Sequence, residues 1–166
     1  MSDLIEHRPT IVSSAFGLIA VGLAASVLAD GDLLGGLLAG MAAIVFILAI
    51  GGPNRRVFNI GIVVLVLALV VGALTPTPLT SVLAATILAI IAWDQFETAF
   101  TLGDQVGGNQ PTARVEVFNA GATTVVGATG GVIIYAVYLS IPTGWPLTAI
   151  IVMLIGALFV LLALEF

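Results

Sequence analysis

The sequence contains no cysteine, no lysine and a single histidine, and only 8% of its 166 residues are charged. Without cysteine there are no disulfides, thiolate nucleophiles, cysteine metal sites or palmitoylation. Without lysine no Schiff base to retinal or pyridoxal can form. His7 stands alone in the amino-terminal tail, which excludes zinc sites built from histidine and cysteine clusters. No GxxxxGK[ST] loop is present, and four arginines are too few for a nucleic-acid footprint. Catalysis is not expected, and neither is a bound cofactor.

What is present is apolar. The hydrophobic fraction is 60% and the mean hydropathy +1.26. A soluble domain carries roughly 25% charged residues. A soluble fold of this length would leave about a third of its extended-chain area in water. Lipid removes that difficulty, so the chain reads as an all-α integral membrane protein of the cell membrane, residues 1–166 forming one transmembrane domain.

A helix crosses the hydrocarbon core in roughly 20 apolar residues. Six candidate spans follow: Thr10–Ala29, Leu33–Ile50, Val57–Leu74, Leu79–Trp93, Val115–Ile141 and Pro146–Leu164. Their continuous apolar runs exclude a barrel, whose strands alternate. The first run is longer than a signal-peptide core and is preceded by Asp3 and Glu6, so it is read as a retained span. Short connections rich in Gly, Pro and Asx residues (Asp30–Asp32, Thr75–Pro78, Pro142–Trp145) predict a six-helix bundle of three helical hairpins.

Arg8, Arg55, Arg56 and Arg114 fall in segments that six spans would place on one side of the membrane. The other side carries only Asp30 and Asp32. The positive-inside rule then predicts that both termini are cytoplasmic, with Trp93 and Trp145 in the interfacial belts. Nine acids against four arginines give a formal charge of −5, as in proteins of halophiles, whose acidic surfaces stay hydrated in concentrated salt.

After Trp93, Asp94, Glu97, Thr101 and Asp104 recur at steps of three and four on one helical face, while Phe96, Ala99, Phe100 and Gly103 line another. The fourth helix is therefore expected to continue as an amphipathic cytoplasmic segment and linker over residues 94–113. Its acidic face would either be solvated and paired with Arg55, Arg56 or Arg114, its phenylalanines anchored in lipid, or bind partner proteins or an ion. Along the fifth span, Asn119, Thr123, Gly127 and Gly130 form a small, polar stripe. Gly36/Gly40 and Gly127/Gly131 are GxxxG pairs, which serve helix packing. No ionisable residue appears deep in any span, Glu116 and Asp94 lying at the ends. The pentapeptide Val57–Gly61 is echoed by Val117–Gly121, which suggests a hairpin repeat.

Arg8-Pro9-Thr10, Trp93-Asp94-x-x-Glu97, and Leu102-Gly103-x-Gln105-x-Gly107 followed by Arg114-x-Glu116 carry a resemblance across nearly the whole chain. The sequence resembles a family of haloarchaeal multi-pass membrane proteins encoded beside MoxR-type AAA ATPases, von Willebrand-A-like proteins and transglutaminase-like membrane proteins. The family has no established activity, so the resemblance implies a neighbourhood and not a mechanism. The functional expectation is a non-enzymatic membrane subunit or scaffold docking partners through Asp94, Glu97, Thr101, Asp104 and Arg114. The alternatives are a small-solute or ion transporter using Asn119 and Thr123, and a homo-oligomeric structural protein. The expected partners are the lipid bilayer, other membrane or cytosolic proteins, or a second copy of the chain.

Overall fold

The computed structural model describes residues 8–140 except Pro53 and residues 107–111; the expected sixth span, Pro146–Leu164, lies outside the described residues. All regular structure among the described residues is α-helical: α1 (Ile11–Ala29), α2 (Leu33–Gly51), α3 (Arg55–Leu74), α4 (Leu79–Val106) and α5 (Ala113–Ser140). All five are long and apolar enough to cross a membrane. Local chemistry sets several ends. The Asp32 carboxylate accepts the Gly35 amide at 2.8 Å and starts α2, and the Asn54 side chain accepts the Arg56 amide at 2.9 Å and starts α3.

The first four helices close into a ring. Packing is most extensive between α1 and α4, then between α2 and α3 and between α1 and α2, while α3 and α4 touch sparsely. The arms of the first hairpin pack closely, whereas the two arms of the second are the thinnest contact of the ring, and α4 spends its surface on α1. The reason is a run of small residues facing that seam. Ala85, Ala89, Ala92 and Ala99 are buried on α4, and Ser13, Gly17, Ala20 and Ala24 on α1, so the backbones approach closely.

At one end of the ring four phenylalanines fill the core. Phe46 of α2 stacks on Phe96 of α4 with ring centroids 4.5 Å apart, Phe58 of α3 lies 5.8 Å from Phe46, and Phe100 lies 5.3 Å from Phe58. Phe96 and Phe100 therefore do not anchor in lipid. The stretch past Trp93 is a continuous part of α4, and its apolar face covers the bundle core. Gly103, on the same face, meets the Arg8 carbonyl so closely that a Cβ there would collide with it. The Thr10 amide donates to the Ala99 carbonyl at 3.1 Å, which seats the start of α1 antiparallel to the end of α4.

α4 has 28 residues and rises roughly 42 Å, against roughly 30 Å of hydrocarbon.

The chain forms two compact units, divided between Gly131 and Val132. The ring and α5 as far as Gly131 belong to the first. In the described part of the second, the rings of Tyr135 and Tyr138 stack with centroids 6.5 Å apart.

Candidate functional site

The polar side chains that matter collect at the arginine-bearing end of the first unit, in three groups. The outermost is a charged surface. The Arg55 guanidinium donates to Glu97 at 3.2 Å and lies 4.0 Å from Asp104. All three side chains keep about half their surface exposed: 55% for Arg55, 47% for Glu97 and 57% for Asp104. Thr101 is half-buried beside them, and Arg114 is exposed in the first turn of α5.

Asp94 belongs to a second, inner group. Its Oδ2 accepts from Thr123 Oγ1 at 2.7 Å, Asn119 Nδ2 at 3.3 Å and Gln95 Nε2 at 3.1 Å, and Asn119 also donates to Thr98 Oγ1 at 3.1 Å. The acidic face expected from sequence is thus divided. Its first carboxylate is turned toward α5, where three donors satisfy it, since a partly buried charge without partners would be costly. The polar stripe of α5 is its counterpart. Asn119→Leu removes two of these bonds, and we expect a loss of about 1–2 kcal/mol, measurable as a lower midpoint in thermal unfolding. An unchanged midpoint would show that the network carries no stability.

The third group was not visible in the sequence. Glu116, expected at the end of its span and away from any buried position, is only 1% exposed. Its Oε2 accepts the Ser13 backbone amide at 2.7 Å, and its Oε1 accepts the Thr112 hydroxyl. Thr10 occupies the N-cap position of α1 but makes no side-chain cap bond. A carboxylate from α5, 103 residues away in sequence, supplies that bond instead. The amino terminus of a helix carries unpaired amides and a positive dipole end, which is why an anion can be buried there. The reading that no ionisable residue is buried in the spans is therefore corrected. The sequence signal that could have flagged Glu116 is a lone acid in the first turn of a span.

The glycine positions sort by what they meet. Gly127 faces Ile87 and Ile91 of α4 at 3.4–3.5 Å from a would-be Cβ, and Gly131 presses against Ile87. Gly36 packs against Ala29, and Gly40 faces open space among the described residues. A groove of about 610 Å³ opens beside the charged surface, lined by Phe58, Asn59, Ile90, Trp93, Asp94 and Glu97. No group of three or more histidine, cysteine or acidic residues that could hold a metal occurs among the described residues.

A chain whose described residues form five helices long and apolar enough to cross a membrane, with a polar junction at one end, is an α-helical protein of membrane type. It belongs to DUF7519, a family of unknown function, whose model matches residues 7–161. No curated protein and no solved structure matches the chain.

Proposed function

We propose that this protein is a non-enzymatic membrane subunit or scaffold that docks partner proteins on the charged end of α4. The observation that carries the reading is the division of the acidic face. Glu97 and Asp104 stay about half exposed around Arg55, whereas Asp94 is consumed internally. A surface of both signs at the end of a helix that outreaches the hydrocarbon suits a polar partner. A sixth span over Pro146–Leu164 would complete the bundle and put both termini, with the arginines, on the cytoplasmic side of the cell membrane. The acid excess and the family resemblance point to a halophilic archaeon, and to the MoxR-type ATPase and its neighbours as the first partners to test.

The test is a double reversal, Glu97→Arg with Asp104→Arg, leaving Asp94 intact because it holds α5. Exposed pairs contribute about 0–1 kcal/mol, so the variant should fold normally. Co-purification of cytosolic partners from the native membrane should fall to background. Recovery equal to the parent's would sink the docking reading.

A second reading has the groove in its favour. An opening of about 610 Å³ beside Asp94 suits a small-solute or ion transporter. It requires flux in proteoliposomes that Asn119→Leu abolishes; flux absent from the parent protein would remove it.

A further inference from the structure

The groove beside the charged surface runs along α4 and the start of α3, the two helices of the ring that touch most sparsely. Ile90, Trp93 and Glu97 follow one another on α4 at steps of three and four, with Asp94 beside them. The lining therefore changes from apolar to acidic toward the charged surface. Phe58 and Asn59 form the opposite wall, one turn past Arg55. Ile90 and Trp93 are 53% and 55% exposed, so their apolar surface is open to an occupant.

Asp94 is the carboxylate of this space with room for a ligand. The three side chains that hold it, Gln95, Asn119 and Thr123, all donate to Oδ2. Oδ1 takes no hydrogen bond among the described residues and is not buried. The donors are neutral, so they fix the carboxylate without cancelling its charge. Arg55 is committed to Glu97 and Asp104, and no arginine pairs with Asp94 among the described residues. The groove thus presents one bare anionic oxygen, held from behind, beside aromatic walls.

We propose that the groove is a binding site for a monovalent organic cation, a protonated amine carried on an apolar body. The uncancelled carboxylate selects a positive charge, and the walls select its type. A small inorganic ion needs a shell of several oxygens, which Phe58, Ile90 and Trp93 cannot supply. An alkylammonium gains on every side. Its N–H groups donate to Asp94 Oδ1, its body covers Phe58 and Ile90, and the face of Trp93 attracts its charge. A volume of about 610 Å³ falls within the roughly 300–1,000 Å³ usual for small-molecule sites. The site deepens the transporter reading, on whose groove it rests, by naming a class of solute, yet it requires no transport. Amine binding without flux removes that reading and leaves the site; flux without amine binding does the reverse.

Trp93 reports on the site directly, because Trp145→Phe leaves it the sole tryptophan. The purified full chain in detergent at neutral pH is titrated with 4-amino-TEMPO, an ammonium on an apolar ring whose nitroxide quenches indole emission at contact. Uncharged 4-hydroxy-TEMPO, built on the same ring, controls for collisions in the micelle. Quenching by the amine should saturate, and quenching by the alcohol should rise linearly. Asp94→Asn keeps an oxygen to accept from Asn119 and Thr123, and should raise the amine midpoint about tenfold through loss of one charge-assisted bond. Asn59 is exposed, so Asn59→Phe fills the groove from α3 without touching Asp94, and it should raise the midpoint by a similar factor. Equal, unsaturable quenching by the two nitroxides overturns the proposal. So does the parent's midpoint in Asn59→Phe, whether or not Asp94→Asn folds.

Discussion

Replacing Glu116 by leucine should fray the first turn of α1 and release the start of α5 from the ring. The loss is larger than a cap deletion alone. A missing cap costs about 1–2 kcal/mol, and the Thr112 hydroxyl would lose its acceptor as well. A buried ion pair can often be replaced by apolar residues without loss, because both partners are removed together. Here one partner is the backbone amide of Ser13, which no substitution removes. Leucine would leave it unpaired in an apolar layer, at about 1–3 kcal/mol. With the Thr112 bond added, the total of about 2–4 kcal/mol corresponds to a fall in Tm on the order of 10 °C. The absence of native cysteine gives a second readout. Ile87→Cys with Gly127→Cys places two thiols across the α4–α5 contact, where a short bis-maleimide should join them in the parent and far less efficiently with Glu116→Leu. Unchanged Tm and crosslinking would show that Glu116 does not hold the helices together.

Gly61→Leu should be a severely damaging substitution in the core. A Cβ at this position would already lie 2.6 Å from Phe46 Cε1 and 2.8 Å from Cδ1. Phe46 cannot yield, because it is fully buried and stacked on Phe96 at 4.5 Å and interplanar 27°. Phe58 closes it from α3. Overpacking a tight core typically costs about 1–3 kcal/mol. A whole isobutyl group against a locked ring should reach or exceed the upper figure. The internal control is Gly121→Leu. Among the described residues nothing lies within 4 Å of a Cβ at Gly121, so that variant should unfold with the parent. Equal behaviour of the two leucine variants would contradict the packing described for α2, α3 and α4.

That pair of glycines shows how little an echo in sequence can say about place. Val57–Gly61 and Val117–Gly121 share four of their five residues. Yet Phe58 is buried in the aromatic cluster while Phe118 is 79% exposed. Asn59 lines the groove, whereas Asn119 bonds Asp94 and Thr98 across α4 and α5. The repeat in letters is not a repeat in environment, because each face is defined by the helix it meets.

The membrane class, the positions of the five described spans and the two faces of the stretch after Trp93 are legible in the sequence, because they are local. Apolar runs of about 20 residues and steps of three and four are properties of one helix, and lipid selects them without reference to partners. The closing of four helices into a ring, with α1 on α4, is a different matter. So are the withdrawal of Asp94 from the acidic face and the burial of Glu116 under the first turn of α1. Each depends on residues 25 to 103 positions apart meeting in space. Burying a carboxylate requires donors, and only the packed bundle decides which distant amide or hydroxyl supplies them.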